Sequence, residues 1–370
     1  MNYNWQQADW PHFRYNLSEE EDRLYALTEK GGRVKGLFTA LPVESQEEVL
    51  LDIMVTEAMK TSGIEGEFLS REDVISSIRN NLGIDRLLHP VKDQRAEGVG
   101  ELMTNIRRTY RDPLTKETLF AWHTMIMRGS RGINAGAWRT HTEPMQVISG
   151  ALGREKIHFE APPSDRVPEE MHRFIDWFND TGPGGSRAIT KPVVRSAIAH
   201  LYFESIHPFE DGNGRMGRAI SEKALAQGLG YPVLLSLSGA IESNKKTYYE
   251  ALMVAQRSNE ITHWIRYFVG TTYDAQKQAE LQINFVVQKT RFFDRFKDQL
   301  NDRQLRVIQR MLEAGPAGFE GGMNTRKYTA IAKTSKATAT RDLQSLVEKN
   351  IFLPTGAGRN TKYELLWVSG

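Results

Sequence analysis

The alternation of apolar and polar positions along this chain is mainly helical. "ESQEEVLLDIMVTEAMK" (residues 44–60) sets Val49, Ile53, Thr56 and Met59 at the spacing of one helix face. Ser45, followed three residues later by Glu48, predicts a capping box at its start. "DQRAEGVGELMTNIRRTYRD" and "KETLFAWHTMIMRG" predict two further helices. The texture then changes. "GAWRTHTEPMQVISGALGREKIHFEAPPSDRVPEE" has short apolar runs, glycines and a double proline, the pattern of a β-hairpin set between helices. "EEMHRFIDWFND" resumes the helical period. In "TKPVVRSAIAHLYFESIHPF", Thr190 is the expected N-cap, with Pro192 in the first turn where its missing N–H costs nothing. Val193, Ala197 and Leu201 share one face and Val194, Ile198 and Ser205 another, so a long helix delivers His207 at its C-terminal end. Glycines break it, and "RMGRAISEKALAQGLG" opens the next helix. Several more run to about Leu300, and the tail reads as three helices and two short strands joined at residues 356–360.

Composition narrows the setting. The 370 residues allow two or three domains, and 40% hydrophobic with 25% charged residues is ordinary for a soluble globular protein. No apolar run approaches the roughly 20 residues that span a bilayer, so no membrane association is expected. The N-terminus does not read as a secretory signal. The absence of cysteine excludes disulfides and thiolate metal sites and fits a reducing, cytoplasmic location. The net charge of +2 hides an asymmetry. From Phe285 onward, 15 Lys plus Arg face 8 Asp plus Glu, or +7, which leaves −5 for the rest. A basic tail on a mildly acidic body suggests a separate module with an anionic partner.

The chemistry concentrates in "HPFEDGNGRMGR", residues 207–218. A glycine-rich loop that opens a helix offers outward N–H groups and a favourable dipole to anions. Gly212, Asn213 and Gly214 would let the backbone approach phosphates closely, and Arg215 and Arg218 could clamp a polyphosphate. Asp211 beside this nest would be repelled by phosphate unless a cation bridges them, and Mg²⁺ is the usual bridge. His207 could accept a proton from an incoming hydroxyl near neutral pH. The spacing Gly212-x-Gly214-x-x-Gly217 also matches a dinucleotide-binding fingerprint, but that motif follows a strand, whereas here a helix precedes it. The phosphate-binding GxxxxGK[ST] pattern is absent.

These twelve residues match, at every defined position, the HxFx[D/E]GNGRxxR motif of the Fic family, and the chain resembles that family over roughly residues 93–272. The resemblance implies a mainly α fold: a helical core with a β-hairpin flap, an N-terminal helical module and a C-terminal winged helix. It implies transfer of AMP from ATP, with Mg²⁺, to a Ser, Thr or Tyr hydroxyl of a target protein. It also implies His207 as general base, Asp211 as the Mg²⁺ ligand, Gly212, Asn213 and Gly214 as the phosphate cradle, Arg215 and Arg218 as clamps, and Phe209 as a buried anchor. "MQVISGA" resembles the family's flap, where Val147, Ile148 and Ser149 would hold the target segment by strand addition. "NKKTYYEALMVAQ" resembles the segment that frames adenosine, with Tyr249 and Gln256 as candidates beside a purely structural role. "KTSGIEGEFL" resembles the inhibitory [ST]xxxE[GN] signature, with Thr61, Glu65 and Gly66 in place. Glu65 would then occupy Arg218 and keep ATP in an unproductive pose. In some relatives the same glutamate positions water to remove AMP, so both directions stay open. A different nucleotide or a phosphocholine carrier as donor also stays open.

The domain boundaries expected on this reading are 1–92 for the N-terminal module, with the inhibitory helix at about 45–66, then 93–280 for the catalytic domain and 281–370 for the winged helix. Aromatics in "YNWQQADWPHFRYN" are expected to pack that first module. In the tail, "SKATATRDLQSLVEKN" resembles a recognition helix, with Leu343, Leu346 and Val347 inward and Lys336, Thr338, Thr340, Arg341 and Gln344 toward a DNA groove. Arg359 and Lys362 would sit on the wing near phosphates. Such modules also dock proteins or pair, which admits a homodimer. A DNA-binding regulator with a nucleotide-sensing core is therefore the rival to the enzyme.

Overall fold

The computed structural model describes residues 3–149 and 156–367. Fourteen α-helices and four short strands appear among the described residues. The first helices are α1 (Glu21–Thr39), α2 (Val43–Ile64), α3 (Arg71–Leu82), α4 (Gln94–Thr109) and α5 (Lys116–Ile126). Strands β1 (Gln146–Ser149) and β2 (Lys156–Glu160) follow, then α6 (Val167–Asp180), α7 (Pro192–Ile206), α8 (Asn213–Leu229), α9 (Leu237–Ser243), α10 (Lys245–Ala255) and α11 (Thr262–Phe296). The last elements are α12 (Asp302–Leu312), α13 (Thr325–Ala332), α14 (Lys336–Glu348), β3 (Phe352–Thr355) and β4 (Lys362–Leu365).

Two compact units emerge: Met1–Gly32 with Leu50–Ala279, and Arg33–Val49 with Glu280–Gly370. This differs from three consecutive segments. The N-terminal residues share the first unit because their side chains pack on its helices. The Trp10 ring meets Tyr202 of α7 edge-on and its indole N–H donates to Glu170 of α6 at 2.9 Å. Asn4, fully buried, donates to the Ser205 hydroxyl at 2.8 Å. Residues 33–49, read as part of the N-terminal module, belong instead to the second unit.

Helix α7 organises the first unit. Every residue from Val193 to Ile206 is buried, which a helix apolar nearly all round requires. One side (Tyr202, Phe203, Ile206) joins a core with α4, α5 and α6, and the other (Val194, Ile198, Leu201) joins a core with α10 and α11. It packs most extensively on α8, which carries the second half of the motif. Two cap expectations shift. Helix α2 starts at Val43, directly after Pro42, so Ser45 lies inside the helix, 3.3 Å from the Thr290 hydroxyl. Lys191, not Thr190, is the N-cap of α7.

In the second unit, α12 to α14 precede the antiparallel β3–β4 pair, and Met323 bridges Tyr363 as a further short antiparallel contact. Leu343 and Leu346 are buried and Val347 is half-buried. Asp342 ties the three helices together. It accepts from Arg303 Nε at 2.9 Å, from the Tyr328 hydroxyl at 3.1 Å and from Asn301 Nδ2 at 3.4 Å. Burial pushes its carboxyl up, but these partners hold it below the ordinary value. Lys336, Thr340, Arg341, Gln344 and Lys362 are exposed. Thr338 is half-buried, with its N–H on the Ser335 cap, and Thr340 donates to the Lys336 carbonyl, so neither is a wholly uncommitted groove contact. The side chain of Arg359 lies outside the described residues.

Candidate active site

Helix α7 ends at His207, whose backbone is left-handed (φ 51°, ψ 59°). A non-glycine residue there costs roughly 1–2 kcal/mol, so the surroundings must hold it. Arg139 does so. Its guanidinium is buried and donates to the His207 carbonyl at 2.8 Å, to the Ser164 hydroxyl at 2.8 Å and to the Pro162 carbonyl, while its N–H bonds the Pro208 carbonyl at 3.0 Å. Burial lowers this guanidinium to about 10.

The loop after His207 is locked from within. Asn213, read as a phosphate contact, has both side-chain amide atoms on the Phe209 backbone, accepting at 3.0 Å and donating at 2.8 Å. It therefore shapes the loop, and only its backbone faces outward chemistry. Phe209 is fully buried and stacks on His123 of α5 at 3.9 Å. His123 Nδ1 accepts the Gly136 N–H at 2.9 Å, so Nε2 carries the proton and donates to the Asp211 carbonyl at 3.1 Å. Gly212 caps α8 at φ 76°, a conformation that favours glycine. Asp211 is exposed at the cavity, one carboxylate oxygen accepting the Gly212 N–H at 2.6 Å.

His207 and this loop line a cavity of about 570 Å³. Its other walls are Glu65, the hairpin residues Val147, Ile148, His158 and Phe159, and Tyr248, Tyr249, Leu252 and Gln256 of the α10 segment. Both adenosine candidates thus reach the cavity. Tyr249 is partly exposed, with Lys245 Nζ 5.6 Å from its ring centre, whereas Gln256 is buried and donates to the Glu204 carbonyl at 3.2 Å. Strand β1 pairs only with β2 among the described residues, with a register shift between Val147 and Ile148. Ile148 is 53% exposed. The Ser149 side chain and the whole of Gly150 and Ala151 lie outside the described residues.

The two motif arginines are already engaged. Arg218, 1% exposed, donates to the Thr61 hydroxyl at 2.7 Å, the Thr61 carbonyl at 2.9 Å and Glu65 Oε1 at 2.8 Å. Burial works against its charge, but Glu65 beside it raises the guanidinium above its ordinary value. Gly66 turns the chain at φ 83°, and Glu67 then pairs with Arg215 at 2.8 Å. Glu67 was not singled out from sequence, nor were Arg139, His123, His200 and Glu204.

Such a loop, with a histidine before it and a helix after it, has counterparts. The family model described as "Fic/DOC family" matches residues 113–225. The chain carries a Fic domain. A second family model, "Domain of unknown function (DUF4172)", matches residues 3–84, ahead of the Fic domain. Over 156 residues the chain is 28% identical to Protein adenylyltransferase fic-1 of Caenorhabditis elegans, covering 42% of this chain and 27% of that protein. It is 26% identical over 215 residues to Protein adenylyltransferase Fic of Culex quinquefasciatus, covering 57% of this chain and 38% of that one. The chain thus spans well under half the length of these two relatives. The crystal structure of a Fic family protein from Desulfovibrio desulfuricans G20 shares the fold, with a TM-score of 0.52 at 21% identity over 96% of this chain and 98% of that chain. The mainly helical Fic fold expected from the sequence is the fold observed. Among the described residues no helix is long and apolar enough to cross a membrane.

Proposed function

We propose that this Fic protein is a self-inhibited protein adenylyltransferase, which moves AMP from ATP onto a Ser, Thr or Tyr hydroxyl of a target protein, itself included. The observation that carries the reading is the convergence on one cavity of His207, the Gly212–Gly214 backbone at a helix N-terminus, and Glu65 seated on Arg218. His207 takes the proton as the target oxygen bonds to the α-phosphorus and the bond to the β-phosphate oxygen breaks, so pyrophosphate leaves. The loop N–H groups steady the developing charge, and Tyr249 and Gln256 border the adenosine side. Asp211, one exposed carboxylate beside a phosphate cradle, fits a Mg²⁺ site of the kind completed by phosphate oxygens. When bound, the ion would neutralise phosphate charge. The outer edge of β1, at Val147, Ile148 and Ser149, would take an extended target segment by strand addition.

Self-inhibition is supported by the geometry of both arginines. A guanidinium engaged by a carboxylate cannot grip the γ-phosphate, and the segment after α2 engages Arg218 through Glu65 and Arg215 through Glu67. Incubation of wild type, Glu65→Gly and Glu65→Gly/His207→Ala with Mg²⁺ and α-labelled ATP, read by intact mass, tests the reading. AMP should appear mainly on Glu65→Gly and be absent from the double variant. Transfer retained without His207 would remove its role as base.

A second reading concerns the C-terminal unit, a winged helix proposed to bind DNA. The exposed Lys336, Arg341 and Gln344 on α14 and Lys362 on β4 favour it. Duplex binding by the full chain that weakens with salt would support it, and Lys336→Glu with Arg341→Glu should abolish that binding.

A further inference from the structure

Resting on the adenylyl-transfer reading, we propose that Glu204 is a positioning residue for the base, holding the Nδ1 side of the His207 ring so that Nε2 is left to receive the target's proton. Helix α7 places His200, Glu204 and His207 at positions i, i+4 and i+7, on one face. Glu204 and His200 are 4% and 0% exposed, on a helix whose other buried polar residues, Arg195, Ser196 and Ser205, have hydrogen-bond partners. Glu204 Oε2 lies 3.5 Å from His207 Nδ1, within ion-pair reach and short of a closed hydrogen bond. Catalytic contacts of this kind tighten when substrate binds.

A buried carboxylate needs compensation. Burial pushes Glu204 up, but its contact with the His207 ring and the charge of Arg218 hold it below the ordinary value, so it stays ionised. His200 is kept neutral chiefly by burial, and its Nε2 meets the Tyr248 hydroxyl at 2.8 Å. Seven buried side-chain polar atoms lack a partner among the described residues, and four of them are His200 Nδ1, Glu204 Oε1, His207 Nδ1 and Arg218 Nη1. The polar groups that the fold leaves open therefore gather behind His207. Gly217 explains how the carboxylate fits. A Cβ there would sit 2.5 Å from Glu204 Oε1, so the residue before Arg218 must be small. This position is undefined in the HxFx[D/E]GNGRxxR motif, and Glu204 lies outside it altogether.

The carboxylate acts on the ring and does not take the proton. It selects the tautomer with hydrogen on Nδ1, and it stabilises the imidazolium that forms as Nε2 gains the hydroxyl proton and pyrophosphate departs. A carboxylate in this relation to a catalytic histidine is a recurring solution on unrelated folds.

The test uses Glu204→Gln, which keeps the shape of the side chain, in the full-length Glu65→Gly background. We expect kcat to fall roughly 10- to 100-fold, short of the roughly 100- to 10,000-fold that a positioned base supplies, with KM for ATP unchanged. Nitrogen-15 spectra of the histidine rings, with His207 assigned by its loss in His207→Ala, should show Nδ1 protonated in the parent and the population shifted in Glu204→Gln. An unchanged kcat and ring spectrum would overturn the proposal, as would a fall in kcat that comes with a lowered melting temperature and an unchanged ring spectrum. If no variant transfers AMP, the adenylyl-transfer reading falls, and the ring spectra still decide whether Glu204 holds His207.

Discussion

Replacing Glu65 by glycine removes one contact from a guanidinium that has three. Arg218 would keep the Thr61 hydroxyl at 2.7 Å and the Thr61 carbonyl at 2.9 Å, so α2 stays docked and the arginine stays in place. What is lost is a charge-assisted hydrogen bond at 2.8 Å to a side chain that is itself 1% exposed. Such a bond is worth roughly 1.5–3 kcal/mol net. At about 1.4 kcal/mol per tenfold, that energy, once returned to a phosphate, raises the productive rate roughly 10- to 150-fold. The carboxylate also occupies ground that a phosphate needs: a Cβ at Gly214 would lie 2.3 Å from Glu65 Oε1. Glu65→Gln keeps an acceptor for Arg218 but drops the charge, and should give an intermediate rise. The assay is the initial rate of AMP incorporation from α-labelled ATP at saturating Mg²⁺, with melting temperature recorded for each variant. Equal rates in wild type, Glu65→Gln and Glu65→Gly, all folded, would refute the claim that this ion pair limits activity.

Glu67→Gln should add a further increase, smaller than that of Glu65→Gly, since Glu67 is 25% exposed at its pair with Arg215 and solvent screens it; labelled-ATP rates of the single and double variants check this. Asp342→Asn should destabilise the second unit by roughly 1.5–3 kcal/mol near neutral pH, seen as faster hydrogen exchange across α12 to α14. The folded carboxyl lies below its unfolded value, so its contribution is fully present above the unfolded value and is lost as pH falls from there through the folded one. Protection in wild type, measured relative to the intrinsic exchange rate at each pH, should therefore fall below about pH 4 toward that of Asp342→Asn, which should change less there.

The loop chemistry was legible because it is local. Twelve consecutive residues carry a histidine, an acid, the glycines and two arginines, and the helices on either side announce themselves by apolar spacing and by Pro192. The roles of Glu67 and Arg139 were not legible, because their partners Arg215 and His207 lie far along the chain and a single charged residue gives no local sign of such pairing. The inward role of the Asn213 amide was not legible either: it closes on Phe209 four residues back, and a motif does not say which of its side chains face inward. Glu204 and His200 did leave a signal. Titratable residues on an otherwise apolar helix must be buried with compensation, and that pattern in "AIAHLYFESI" marks them. The capping box at Ser45 failed because Pro42 sits just upstream and the helix starts immediately after it.

Arg139 fixes the root of the hairpin to the base. Its guanidinium straps the Pro162 carbonyl and the Ser164 hydroxyl to the His207 turn, while the Trp5 indole holds the Glu160 carbonyl at 2.7 Å and Arg257 holds that of His158 at 2.9 Å. Ile148, paired with Ile157 and 53% exposed, lies outside these anchors, whereas Val147 pairs with Phe159 between them. On the proposed strand-addition reading, a substitution at Ile148 should alter the choice of target, whereas one at Arg139 or Ser164 should disturb the His207 turn itself.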